Sequence, residues 1–344
     1  RFGPFSKESG EKGGGRQLKR FFKNLALYAL PFILALFVFF LFEPYDYFCL
    51  RGDATYLSRP LSSIRAIMLE RPTRLIFGDS RMANLNTDYI EEICGEDYAM
   101  AAFGGSTLGE QLELFWFAAE RCELEEVVFG VSFYMCRGEQ DAGRIPAVRE
   151  QAESLSKFTF NFGNWLQAAD AVRWKTKNLA ASLLDRGDWL EYPEDPTDPE
   201  AEYTLTEARV GEVREDLYYY AVLIYGGIID YTLEPEVLEQ LEELIDYCEA
   251  EGIKLTFVIP PMHESLFTLA VDKAGIEEER AKLLDFLKGR ATVYDFEFIN
   301  EYTQNEDNFY DGFHLVPPEK LTLARLIFTD TNEHPEAVER YYKD

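Results

Sequence analysis

Positive charge is scarce in this chain. Its 344 residues hold 34 Lys and Arg against 62 Asp and Glu, a formal net charge of −28. That excludes an ordinary nucleic-acid role, because binders meet the phosphate backbone with clustered Lys and Arg and so acidic a chain would be repelled. Cysteines are also few. Cys49, Cys94, Cys122, Cys136 and Cys248 contain no CxxC pair, so a zinc site or thioredoxin-type motif is unsupported. There are three histidines, and no internal repeat is visible. Apolar residues are abundant: 47% of the chain is hydrophobic and 15% aromatic, which rules out a disordered, collagen-like or disulfide-scaffold protein and allows one large or two ordinary domains.

The charge is unevenly spread. Seven of the basic residues (Arg1, Lys7, Lys12, Arg16, Lys19, Arg20, Lys23) and only two acids (Glu8, Glu11) lie in residues 1–23, a Gly-rich stretch expected to be a disordered cytoplasmic tail. Residues 24–42, NLALYALPFILALFVFFLF, then carry no ionisable group except Tyr28. As a helix this run spans about 28 Å, enough to cross a bilayer, and Pro31 is tolerated there. A core helix is a poor fit to a run apolar on every face with a basic flank, and a cleaved signal peptide lacks its small-residue site before EPYDYF. The basic flank predicts a cytoplasmic N-terminus, with everything after Glu43 outside. There a disulfide is permitted, and Cys94 with Cys122 is the first pair to expect.

Beyond a connector at 43–71, which holds a short helix in SSIRAIMLE, strands and helices alternate. Five strands read from TRLIFG, DYAMAAFGG, EEVVFGVSF, IKLTFVIPP and ATVYDFEF, separated by helices such as NTDYIEEICG and PEVLEQLEELIDYCEAEG. Thr107 with Glu110 forms a capping box, Gly252 fits a C-cap, and a last helix begins near Pro317. The rhythm implies a parallel α/β sheet. Residues 137–235 break it and read as a mostly helical insertion or cap. Its acidic stretch WLEYPEDPTDPEAE is expected to be solvated rather than a calcium site, and its aromatics, with Tyr218, Tyr219 and Tyr220, to be core rather than a sugar platform. Residues 331–344 read as a tail.

Ligands of an open parallel sheet bind beyond the carboxyl ends of its strands. Those ends carry Gly78-Asp79-Ser80-Arg81, Gly104-Gly105-Ser106, Ser132, Pro260-Pro261 with His263, and Asp311-Gly312-Phe313-His314. A serine hydroxyl needs a base within hydrogen-bond reach and a carboxylate to orient that base. Asp311 and His314, one tight turn apart, can supply both to Ser80. Gly78 permits a sharp turn out of its strand, Ser80 opens a helix whose N–H groups favour an oxyanion, and Gly104 or Gly105 can bring a further N–H close.

GDSR at 78–81, the Gly104-Gly105 turn and DGFH at 311–314 resemble three blocks of the SGNH (GDSL-type) hydrolase superfamily. The likeness is to its membrane-anchored bacterial branch, which includes proteins of D-alanyl-lipoteichoic acid biosynthesis and alginate O-acetylation. It covers about 72–136 and 236–330. It implies a flavodoxin-like three-layer α/β/α sandwich with about five parallel strands, and a place on the bacterial cell membrane as a single-pass protein with its catalytic domain outside. It implies Ser80 as nucleophile, His314 as base, Asp311 as its partner, and Ser80 with Gly104 or Gly105 as oxyanion donors. A cell-surface glycopolymer bearing an acyl ester is the implied substrate and a membrane-bound O-acyltransferase the implied partner; neither metal nor organic cofactor is required. The sequence departs from the pattern twice. Arg81 replaces the Leu of GDSL, where it either binds an anionic substrate group or forms a structural salt bridge. Gly130-Val131-Ser132 stands where GxND is expected, so either Ser132 substitutes for the Asn, two donors suffice, or catalysis is weaker. His263 is expected on the rim of the site in reach of substrate, and His334 exposed and idle. The rival readings are a non-catalytic binding or accessory module and a carboxylesterase of small substrates.

Overall fold

In a computed structural model of the protein, the described residues are 11–49, 59–138, 140–183, 231–331 and 333–343. The acidic stretch and the three consecutive tyrosines of the insertion lie outside them. The chain divides into two compact units, Arg1–Pro44 with Thr159–Tyr192, and Tyr45–Phe158 with Pro193–Asp344.

In the first unit a 32-residue helix, Glu11–Phe42, contains the apolar run. Over Gln17–Phe42 it is long and apolar enough to span a membrane, with a mean hydropathy of 2.7. The helix also corrects one expectation, since residues 11–23 are helical; residues 1–10 of that stretch lie outside the described residues. Once the apolar run is helical, each residue added upstream gains a hydrogen bond without a new nucleus, and that carries the helix through Gly13, Gly14 and Gly15. A second helix, Phe162–Leu183, packs on it: Trp165 stacks on Phe39 with ring centroids 4.5 Å apart, and the Lys175 ammonium lies 5.6 Å from the Phe42 ring.

The second unit is built on a six-stranded sheet of order β2-β1-β3-β4-β5-β6, where β1 is Arg74–Phe77, β2 Ala99–Met100, β3 Glu126–Gly130, β4 Lys254–Ile259, β5 Thr292–Asp295 and β6 Glu339–Tyr341. The first five strands are parallel, in a register that aligns Phe77, Phe129 and Phe257. The sixth is antiparallel and comes from the expected tail; it covers the edge that β5 would otherwise leave open.

Alternate residues of each strand face opposite ways, so both faces must be covered. On one face Leu75, Phe77, Val127, Phe129 and Phe257 pack with Ile64 and Ile67 of the helix Arg59–Leu69, Leu112 and Phe115 of Leu108–Ala119, and Leu241 and Leu244 of Pro235–Glu251. On the other, Ile76, Val128 and Val258 pack with Ile90 of Thr87–Cys94 and Leu323 and Leu326 of Pro317–Phe328. Two expected boundaries therefore fall inside the core: Ile64 and Ile67 come from the connector, and Ile145 and Ala152 from the insertion. Phe158 is buried and stacks on Tyr47 at 4.2 Å, whereas Phe160 and Phe162 are exposed, so the insertion's aromatics are only partly core. The Cys94–Cys122 disulfide does not form, and all five cysteines are free thiols. Cys94 packs on one side of the sheet and Cys122 on the other.

Candidate active site

At the end of β1 the chain turns at Gly78, whose φ of +138° is a conformation that L side chains rarely adopt. Crowding requires glycine there as well, because a Cβ on Gly78 would lie 2.7 Å from Met82 Cγ and 3.2 Å from Gly130 Cα. A Gly78→Ala chain is therefore expected to lose about 1–3 kcal/mol from overpacking alone, with backbone strain added. A shift of the denaturation midpoint in a detergent-solubilised chain measures it, and an unchanged midpoint would contradict the close packing. After the turn Asp79 caps a one-turn helix, Ser80–Ala83, accepting the Arg81 N–H at 2.9 Å.

The DGFH segment is a tight turn between Phe309 and Leu315, with Gly312 at φ +78°. One Asp311 carboxylate oxygen accepts the backbone N–H groups of Phe313 and His314 at 2.9 and 2.7 Å. That leaves Oδ2 to meet His314 Nδ1 at 2.7 Å. On the far side of the ring, Nε2 lies 2.7 Å from Ser80 Oγ. Because a carboxylate can only accept, Nδ1 carries the proton and Nε2 accepts from the serine hydroxyl. Burial alone would raise the Asp311 carboxyl. The hydrogen bonds and charge of His314, with the two backbone N–H groups, outweigh that and hold it below the usual carboxylate range. Ser80, His314 and Asp311 are thus brought together as one hydrogen-bonded chain.

No protein-family model and no curated protein matches this sequence.

The loop after β2 is bound to the same turn. Phe103 N–H and the Ser106 hydroxyl both donate to the Gly78 carbonyl, at 3.2 and 3.0 Å. Gly78 N–H in turn donates to Gln111 Oε1 at 3.1 Å. Backbone N–H groups of Ser80, Gly104 and Gly105 take no partner among the described residues. Arg144 holds the opposite side of those glycine peptides, donating from Nη2 to the carbonyls of Gly105 and Gly104 at 3.0 and 3.4 Å. Because carbonyl and N–H of one peptide point in opposite directions, this fixes where the N–H of Gly105 is aimed. Arg144 is itself fixed by the buried Glu110 at 2.8 Å. Ser132 follows β3, is 1% exposed, and its hydroxyl has no partner among the described residues.

Arg81 forms a structural salt bridge, one of the two roles expected of it. Its guanidinium is buried, bonded to Asp79 Oδ2 at 2.7 Å and to the Pro260 carbonyl at 3.2 Å, with Glu297 3.6 Å away and the Phe313 ring 4.3 Å away. Burial disfavours its charge, but Asp79 and Glu297 outweigh that and keep it protonated. Glu297 also pairs with Arg280 at 3.0 Å, and Arg280 with Asp295 at 3.4 Å. Burial nonetheless pushes the Glu297 and Asp295 carboxyls above their usual range, against the pull of Arg280. His263 is likewise not on the rim. It is 5% exposed, Nδ1 caps the following helix through the Ser265 N–H at 3.2 Å, and its backbone N–H donates to the Gly312 carbonyl at 2.8 Å. Burial lowers its imidazole below the usual histidine value. His334 is exposed, as expected, beside Glu336 3.0 Å away.

Sequence reasoning missed Arg144, Gln111 and Glu297. Arg144 stood in the presumed insertion, and Glu110 had already been given a role as a cap. A buried Glu297 beside a buried Arg81 leaves no trace in local pattern. No group of three or more His, Cys, Asp or Glu among the described residues is placed to hold a metal ion.

Proposed function

We propose that the protein is a membrane-anchored, extracytoplasmic serine esterase or O-acyltransferase of the SGNH type, acting on an acyl ester of a cell-surface glycopolymer. The observation that carries this reading is the unbroken relay from Ser80 Oγ through His314 to Asp311, with both links at 2.7 Å. The strand order β2-β1-β3-β4-β5, a flavodoxin-like order, supports the family's sandwich. The apolar helix supports the anchor, and its basic flank a cytoplasmic N-terminus.

In this mechanism Ser80 Oγ attacks the ester carbonyl as His314 Nε2 takes its proton, and the Asp311 carboxylate stabilises the resulting imidazolium. The tetrahedral oxyanion is received by the Ser80 N–H and by Gly104 or Gly105, with the Ser132 hydroxyl in place of the family's Asn. Collapse breaks the bond to the alcohol, which leaves with the proton from His314. Water or a sugar hydroxyl, deprotonated by the same Nε2, then releases the acyl group from Ser80. A membrane-bound O-acyltransferase is the partner that would supply or accept that group.

A fluorophosphonate probe tests the reading. It should label the native chain on the Ser80 peptide and fail to label a Ser80→Ala chain. A folded native chain that resists the probe would favour the binding-module reading, for which the absent Asn is the motivation. Hydrolysis of short aryl esters with no transfer to any glycan would point to a plain carboxylesterase.

A further inference from the structure

The helix Phe162–Leu183 is net positive, as the N-terminal helix is. It carries Arg173, Lys175 and Lys177 against the single acid Asp170, in a chain with a net charge of −28. Its inner side is packed: Asn164 and Ala168 are buried, and Trp165 stacks on Phe39. Its outer side is apolar where a water-exposed helix would be polar. Phe162 is 74% exposed and Leu166 51%, joined by the 74% exposed Phe160 just before the helix. Phe162, Leu166, Ala169 and Arg173 follow one another at helical spacing, so the apolar stripe runs directly into the basic cluster.

The place of this helix identifies what covers that stripe. Its partners Phe39 and Phe42 belong to the last turn of the helix that is apolar over Gln17–Phe42. If that helix crosses a bilayer, its last turn lies at the lipid–water boundary, and a helix packed there meets headgroups. Aromatic residues such as Trp165 and Trp174 are favoured at that depth, and basic side chains are drawn to anionic headgroups. We propose that Phe162–Leu183 is a membrane-surface helix, with Phe160, Phe162 and Leu166 set among the acyl chains and Arg173, with Lys177 one turn on, against anionic phosphate headgroups. The assignment rests on the reading of Gln17–Phe42 as a span and is independent of the catalytic one. It gives an otherwise acidic protein a second, weaker hold on its membrane.

The test places photoreactive benzoylphenylalanine at one position at a time in the full chain: Leu166, Leu34 within the span, and the exposed Glu278 of the sheet unit. Each chain is reconstituted in phosphatidylcholine vesicles with and without phosphatidylglycerol, irradiated, and scored for lipid adducts by mass. With anionic lipid present, position 166 should give roughly five-fold more adduct than position 278, falling about three-fold without anionic lipid or in the double variant Arg173→Gln, Lys177→Gln. An adduct at 34 with none at 166 overturns the surface helix and leaves the anchor standing. No adduct at either position overturns both. At 166, a cross-link to a second copy of the chain, or in whole cells to another protein, replaces the lipid surface by a protein interface and likewise overturns the proposal. Yield at 166 that ignores headgroup charge overturns the electrostatic part.

Discussion

On the proposed esterase reading, an Asp311→Asn chain is expected to lose about 10⁴-fold in kcat on an aryl ester while remaining folded. The size of the effect follows from the way the carboxylate is held. Oδ1 accepts two backbone N–H groups, from Phe313 and His314, so the amide oxygen of asparagine has to occupy that position. Its NH₂ then replaces Oδ2 and faces His314 Nδ1. A donor against Nδ1 moves the ring proton to Nε2, and Nε2 can no longer accept from Ser80 Oγ, 2.7 Å away. Geometry survives and the base is lost. Steady-state rates on a chromogenic ester, with circular dichroism to establish folding, provide the measurement; a loss below about ten-fold would remove Asp311 from its role. The same substitution has a consequence for acid stability. Because the folded Asp311 carboxyl titrates below its ordinary value, its ionised form stabilises the fold above that value, and this contribution disappears as pH falls through the folded one. The Asn chain should lack that part of the acid-side decline.

Arg81→Ala is expected to destabilise the sheet unit by about 3–5 kcal/mol, the cost of leaving buried charges without their partner. Asp79 and Glu297 are 2% and 1% exposed, and neither can reach water once the guanidinium is gone. Arg280 would still face Glu297, but Asp79 would have no remaining cation. Lysine should not rescue the loss, since one ammonium cannot reproduce the bonds that Nε and Nη2 give to Asp79 and Nη1 to the Pro260 carbonyl. Chemical denaturation of the solubilised chain measures the change. A destabilisation below about 1 kcal/mol would mean that the ion network is solvated rather than buried.

These two residues also mark how far the sequence could be read. Strands β1, β3 and β4 were legible because a strand covered on both faces has to be a continuous apolar run, as in LIF, VVF and FVI. The site was legible because strand ends converge, so Ser80 and the DGFH turn could be paired without knowing any distance. Strand β6, by contrast, is only Glu-Arg-Tyr: it gains its place from the backbone of β5, which leaves no pattern in its side chains. The surroundings of Arg81 were hidden for a similar reason. Its compensating carboxylates come from two residues earlier and from a position beyond β5, and a buried ion pair across the latter separation looks, residue by residue, like two surface charges. Spacing along the chain likewise could not reveal that Cys94 and Cys122 face opposite sides of one sheet.

The four residues Pro260 to His263 touch both halves of the relay. At one end the Pro260 carbonyl holds Arg81, next to Ser80; at the other the His263 N–H holds Gly312, inside the turn that carries His314. Two successive prolines have fixed φ angles and little freedom to stretch or fold. The segment therefore works as a stiff ruler laid between the two halves. The distance between serine and imidazole is gauged by a piece of backbone that is no member of the relay, and a change in the ruler's length would uncouple two intact halves without altering either.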